Sequence, residues 1–379
     1  MVINLAIAKI QKNGCNRHIN NKFIQICHIA NILHYLCNSN YASSFIMTNK
    51  ILITGASGFI GSFIVEEALR RGMKVWAAVR KTTSRRYLTD SRINFIELDF
   101  ASKDALKQQL DGHTFDYVVH AAGVTKCIDN ADFRRMNTDG TRNLVDALIE
   151  LQMPLKRFVF LSSLSVYGAI HERQPYQDIT ENDCPRPNTA YGRSKLEAER
   201  YLDSIGNDFP YIILRPTGVY GPREKDYFLM AESVKRHIDF GAGFRRQDIT
   251  FVYVLDVVQA VFLALDRGMS GRKYFLTDGE VYQSADFSRL LKKEMGVKWM
   301  LRIVAPIWVL RAVTYIGERI GRITHKPTAL NNDKYNILRQ RNWRCDIEPT
   351  MDELGYHPHY KLADGVRLAV EWYKQNGWL

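Results

Sequence analysis

The stretch Ile51-Leu52-Ile53-Thr54-Gly55-Ala56-Ser57-Gly58-Phe59-Ile60-Gly61 constrains the fold more than any other part of the chain. A short apolar run stops at a glycine-rich turn and passes into an amphipathic stretch, the pattern of strand, phosphate loop and helix. Gly55 permits a sharp turn. Gly58 lets the backbone come close to a pyrophosphate, and Gly61 lets the helix pack on the strand, while free N–H groups at the helix start meet the anion. The spacing is G-x-x-G-x-x-G rather than G-x-G-x-x-G. Glycine triplets also occur in plain strand–helix turns, so the chain beyond must carry the assignment.

Past this loop, strands alternate with helices. A helix is expected over 59–71, with strands at 74–79, 94–98, 115–120 and 157–161, and a sixth strand with the loop beyond it over 211–222. This alternation predicts an α/β fold with a doubly wound parallel sheet of Rossmann type, and then a smaller C-terminal lobe. The end of the second strand is informative. An acid there would bond the adenosine ribose of NAD, whereas an arginine accommodates the 2′-phosphate of NADP. The chain carries Arg80-Lys81 and Arg85-Arg86, with no acid before Asp90. NADP(H) is therefore expected over NAD(H), with Arg80 reading the phosphate; a solvated basic loop is the plainer reading. Asp99, after the third strand, either accepts from the adenine amino group or caps the helix beginning near Ser102. His120-Ala121-Ala122-Gly123 ends the fourth strand in small residues that leave room for the ribose and nicotinamide. Asn137 is expected to open a long helix toward Leu151.

The fifth strand runs into Ser162-Ser163-Leu164-Ser165, and Tyr191-Gly192-Arg193-Ser194-Lys195 comes 28 residues after Ser163. On a helix, Tyr191 and Lys195 share one face. A phenol with a pKa near 10 is a poor acid or base at neutral pH, and a neighbouring ammonium favours its phenolate. The same lysine can hold the nicotinamide ribose. A serine hydroxyl can bind the substrate oxygen while the tyrosine moves the proton. Y-x-x-x-K alone is weak; after a glycine loop, an H-A-A-G strand end and a serine-ended strand, all in order, it is specific.

From about Lys50 to the C-terminus the chain resembles the extended short-chain dehydrogenases/reductases, the NAD(P)-dependent epimerase/dehydratase-like superfamily. The resemblance implies an NAD(P)-dependent oxidoreductase in which Ser163, Tyr191 and Lys195 are catalytic. It implies that Gly55, Ser57, Gly58, Phe59, Ile60, Gly61, Arg80, Asp99, Phe100, Ala121, Ala122, Gly123 and Pro216 line the cofactor with Tyr191 and Lys195. It also implies that Asn137 supports the active-site architecture, and that two copies dimerise through the Y-x-x-x-K helix and its neighbour. Sugar 4,6-dehydratases carry Asp-Glu where this chain has Leu164-Ser165, and sugar epimerases carry R-Y-F-N where it has Arg215-Pro216-Thr217-Gly218. The R-P-x-x-V-Y-G-P run at 215–222 and the Leu354-Gly355-Tyr356-His357-Pro358 ending resemble the 3β-hydroxysteroid dehydrogenase and dihydroflavonol reductase branch instead. That resemblance implies a secondary alcohol or ketone in a bulky apolar substrate. The rival readings are a nucleotide-sugar epimerase with retained NAD and a non-catalytic NADP-sensing protein.

The domains expected are a Rossmann domain over 47–220 and a substrate lobe over 221–379, with about 250–277 returning to the core. Asp256 reads as a helix N-cap. Residues 1–46 hold Lys9, Lys12, Arg17 and Lys22 and no acid, supplying +4 of the net charge of +12. They read as an extension ahead of a start at Met47. The charge is compatible with anionic cofactors, and no nucleic-acid motif or metal-ligand spacing accompanies it. The six cysteines lack C-x-x-C pairing and imply reduced thiols in a cytoplasmic setting. Leu301 to Gly317 is apolar but carries Arg302 and Arg311, which predicts an amphipathic helix rather than a membrane span. Either ordinary packing or peripheral membrane contact through about 301–322 would use it.

Overall fold

A computed structural model of the chain describes residues 48–80, 82–324 and 331–379. The 1–46 extension, the start at Met47 and Lys81 of the basic loop lie outside them. Seven strands form one parallel sheet: β1 (Lys50–Thr54), β2 (Lys74–Val79), β3 (Asn94–Glu97), β4 (Tyr117–His120), β5 (Arg157–Leu161), β6 (Tyr211–Pro216) and, last in the chain, Lys273–Leu276. The order across the sheet is Lys273–Leu276, β6, β5, β4, β1, β2, β3. Their sequences (KILIT, KVWAAV, RFVFL, YIILRP) are near-continuous apolar runs because helices cover both faces and leave no polar side. Strand order reverses between β1 and β4, which pair directly from Ile51↔Tyr117 to Thr54↔His120. The crevice at their C-terminal ends is where such sheets bind ligands.

The flanking helices are α1 (Phe59–Arg70), α2 (Lys103–Leu110), α3 (Asn130–Phe133), α4 (Gly140–Glu150) and α5 (Ala190–Ile205). The expected helix start at Asn137 is corrected. Helix begins at Asn130, capped by the Asp129 carboxylate on Ala131 N–H, and residues 134–139 form a π-helical turn that passes Asn137 on into α4. Such bulges concentrate at functional sites. Asp99 does not cap α2; Ser102 does, accepting from Ala105 N–H, while Asp99 accepts from Ala101 N–H.

Beyond β6 come β7 (Gly218–Tyr220), α6 (Lys225–Lys235), β8 (Ile238–Ala242), β9 (Asp248–Ile249), β10 (Phe251–Tyr253) and α7 (Val254–Arg267). Lys273–Leu276, now β11, returns beside β6. β12 (Tyr282–Gln283), α8 (Asp286–Glu294), β13 (Leu301–Ala305), α9 (Ile307–Thr324), α10 (Asn332–Arg339), α11 (Glu348–Leu354) and α12 (Leu362–Gln375) complete the chain. Two expectations are corrected in this half. Asp256 lies inside α7, after the N-cap Tyr253, and is fully buried. Its carboxylate accepts from His359 and Tyr360 N–H, pinning the C-terminal segment. The apolar 301–317 run is not one helix: residues 301–305 pair with β8, Pro306 breaks the strand, and α9 starts after it.

Candidate active site

β1 ends in Thr54, and the chain turns at Gly55 with φ of +67°, a region open to glycine. A Cβ on Gly55 would stand 2.6 Å from the Ala121 carbonyl oxygen, and one on Gly61 would stand 2.1 Å from the Gly55 carbonyl oxygen. Both glycines are therefore required by close backbone contact. α1 starts at Gly58 with no side-chain cap and no acid in its first turn. Phe59 and Ile60 pack their side chains against the apolar core. The first helical N–H groups, which have no intrahelical acceptor, thus front the crevice beside Ser57. These features fit a dinucleotide pyrophosphate.

The opposite wall is fixed by a proton-ordered chain. Thr141 donates its hydroxyl to the Asn137 carbonyl at 2.6 Å, so it accepts from His120 Nε2–H at 2.9 Å. His120 Nδ1 then accepts from the Thr54 hydroxyl at 2.7 Å, and Thr54 Oγ1 accepts from Ala122 N–H at 3.2 Å. Burial pushes the imidazole pKa down to about 3, with Lys195 adding to the effect, so His120 stays neutral and keeps this tautomer. The Ala121-Ala122-Gly123 turn is thereby tied to the end of β1. Phe100 packs its ring 5.9 Å from His120. Buried Asn137 completes the wall, exchanging hydrogen bonds with Val124 N–H and carbonyl and donating to Ser194 Oγ at 3.0 Å.

Ser163 comes two residues past the end of β5 and caps a short 3-10 turn (Leu164–Val166). Its hydroxyl bonds Ser165 Oγ at 3.1 Å and lies beside the Tyr191 phenol. Tyr191 is half-buried as a residue, with its hydroxyl end enclosed, and burial raises its pKa to about 12 while the Ser163 hydroxyl acts in the opposite direction. Lys195, one turn further along α5, is buried and donates to the Leu161 carbonyl at 2.8 Å. Its Nζ stands 3.3 Å from where a Cβ on Gly123 would be, so it lies beside the turn that follows β4. The sequence predicts that Lys195 lowers the Tyr191 pKa; in the structure the group acting downward on Tyr191 is Ser163.

Burial lowers the Lys195 pKa to about 8, partly countered by Glu199. Between pH 8 and 10 the unfolded chain binds a proton here that the folded one does not, so this residue makes stability rise with pH, by at most about 1.4 kcal/mol per unit. Below pH 8 both states are protonated and the penalty is constant. Lys195→Met should remove that slope and be the more stable protein at pH 7. Urea unfolding of both proteins from pH 7 to 10 measures it, and equal slopes would contradict the buried ammonium.

Several site residues escape sequence inspection. Glu199 and Arg215 form a buried ion pair beneath Lys195. Asp333, from α10, accepts from Ala190 N–H at 2.9 Å and Tyr191 N–H at 3.1 Å, and so caps α5 from 142 residues away. Of the other expected cofactor residues, Arg80 is exposed at the end of β2 with its N–H on Thr83 Oγ1. Arg85 and Arg86 lie over the rings of Phe95 and Tyr87. Pro216 is buried at the end of β6, paired with Leu276.

Residues 51–277 match the NAD dependent epimerase/dehydratase family. A UDP-glucose 4-epimerase of Vibrio cholerae is 26% identical over 348 residues, covering 87% of this chain and 97% of its own. A ketoreductase of Stigmatella aurantiaca, acting on 4-hydroxy-2-methyl-3-oxo-4-farnesyl-3,4-dihydroquinoline-1-oxide, is 26% identical over 335 residues, covering 84% and 96%. The crystal structure of a Thermotoga maritima UDP-glucose 4-epimerase with UDP-glucose shares the fold, with a TM-score of 0.69 at 23% identity, covering 86% of this chain and 99% of that one.

Proposed function

This chain belongs to the NAD dependent epimerase/dehydratase family, and we propose that within it the protein reduces a ketone, or oxidises the matching secondary alcohol, in a bulky apolar substrate of sterol- or lipid-like character. The observation that carries the reading is the hydroxyl cluster of Ser163, Ser165 and Tyr191, with no carboxylate directly after the catalytic serine. A dehydratase would need an acid there to expel water. The ketoreductase relative, whose substrate bears a farnesyl chain, supports the same reading.

The nicotinamide cofactor supplies or accepts the hydride. Ser163 Oγ binds and polarises the substrate oxygen. Tyr191 Oη, protonated at neutral pH, gives its proton to that oxygen as charge develops there, the role of a general acid in the reducing direction. Lys195 holds the nicotinamide ribose, and its nearness to Gly123 supports that placement. Exposed Arg80 at the end of β2, with no acid following it in sequence before Asp90, supports NADP(H) over NAD(H). A thermal-shift titration should give the larger shift with NADP(H), as expected for a ligand that binds the native state. Arg80→Ala should remove most of that difference. A larger shift with NAD(H) would overturn the preference.

The epimerase reading keeps one support, the Vibrio relative. Interconversion of a nucleotide sugar with no net change in cofactor redox state would establish it against ketone reduction. The reading also includes a homodimer through α4 and α5, checked by sedimentation velocity. A lipid-like substrate makes peripheral membrane contact through 301–322 part of the same proposal.

A further inference from the structure

Among the described residues no helix is long and apolar enough to cross a membrane. Yet the far edge of the substrate lobe is built inside out. β8 and β13 pair in parallel, Ile238 with Leu301, Asp239 with Arg302 and Phe240 with Ile303. The ionic pair Asp239–Arg302 points inward, with Asp239 buried. Phe240, Leu301 and Ile303 face outward, and Phe240 is 65% exposed.

α9 continues this surface. Ile307, at its start, meets Gly243 just past β8, and Gly243 N–H bonds Ala305 at the end of β13. The helix buries Thr314 and Gly321 and turns Trp308, Tyr315, Ile316, Ile320 and Ile323 outward, with Trp308 74% and Ile323 78% exposed. A water-facing helix ordinarily shows the reverse. Phe244, 78% exposed, and Trp299, stacked on His237, extend the face.

Charge decides what this face meets. Segments 235–246 and 292–324 hold eleven lysines and arginines against three acids. Arg236, Arg245, Lys298, Arg311 and Arg319 are exposed around the apolar residues. Of the acids, Asp239 is buried against Arg302 and Glu294 lies beside Lys293. A self-complementary contact between two copies would bring these cations against each other. An apolar face that includes tryptophan and tyrosine, surrounded by exposed cations, suits the interfacial region of a negatively charged bilayer.

We propose that the outer face of β8, β13 and α9 docks on an anionic lipid bilayer, seating the apolar residues at the headgroup–acyl boundary. The proposal rests on the apolar-substrate reading only for its purpose, since the membrane is where such a substrate resides. The test is co-sedimentation of the full chain with phosphatidylcholine vesicles, with and without phosphatidylglycerol. Partition onto the anionic vesicles, weakened by salt, is expected. Ile316→Glu with Ile320→Glu should lower it by at least about tenfold, and Arg311→Glu with Arg319→Glu should abolish the anionic preference. The NADP(H) thermal shift, read on the same proteins, confirms that each variant is folded; losing that shift while vesicle binding persists would defeat the functional reading alone. No partition, or partition indifferent to all four substitutions, would overturn the membrane proposal. So would a dimer that Ile316→Glu splits into monomers without any vesicle binding.

Discussion

Tyr191→Phe should lower turnover by about 10²–10⁴-fold while leaving cofactor affinity unchanged. The substitution removes one oxygen. The ring keeps its edge contact with Phe133, 6.2 Å between centroids, and the backbone N–H keeps its bond to Asp333. Ser163 keeps Ser165, so neither the strand end nor the helix has cause to move. What is lost is the group proposed to give a proton to the substrate oxygen. Because burial holds the phenol pKa near 12, the wild-type reducing rate should be flat through neutral pH, and oxidation should quicken toward alkaline pH as phenolate forms. Steady-state rates in both directions, with calorimetric cofactor titration, measure these effects. A variant that keeps more than a tenth of the rate would remove Tyr191 from the proton-transfer role.

Arg215→Ala should cost the fold about 3–5 kcal/mol. Arg215 and Glu199 lie in the core, joined at 2.5 Å (Nη2 to Oε2) and 3.1 Å (Nε to Oε1). Ser162 also donates to Glu199, and Arg215 Nη1 donates to Tyr167 Oη at 2.9 Å, with the guanidinium over the Tyr167 and Phe275 rings. Removing the arginine strands a buried carboxylate. Replacing both partners, Arg215→Met with Glu199→Leu, should recover most of the stability, because two apolar side chains need no compensation. The pair's position gives it a second consequence. Glu199 raises the Lys195 pKa, so the double variant should be stable yet hold Lys195 neutral at lower pH. Urea unfolding of wild type, the single variant and the double variant tests this. A loss below about 1 kcal/mol in Arg215→Ala would show that the carboxylate is otherwise satisfied.

Tyr191 and Arg215 differ in how far each is legible from local sequence. Tyr191, Lys195, Ser163 and the glycine loop carry their chemistry in local spacing: a tyrosine and a lysine one helical turn apart, a serine at a strand end, glycines on one turn. Arg215 does not. In sequence it begins the segment compared with the sugar-binding R-Y-F-N, and the fold places it against α5 as Glu199's partner. The family resemblance implies a supporting role for Asn137, but nothing local shows that a π-helical turn aims its amide at Val124 and Ser194. Asp333 has no local signal at all, since its partners lie 142 and 143 residues away.

The strands, their parallel arrangement and the crevice follow from short-range pattern. Apolar period and glycine placement act over a few residues, and a buried parallel sheet leaves few ways to arrange them. The hydrogen bonds that hold the site, and the surface that faces out, come instead from long-range packing. The 301–317 run shows the reason. Its composition suits a helix, a strand or a bilayer contact, and pairing with β8 and a break at Pro306 set its form. Burial is a property of what packs against a residue, and the neighbours of Trp308, Arg215 and His120 are supplied by the whole chain.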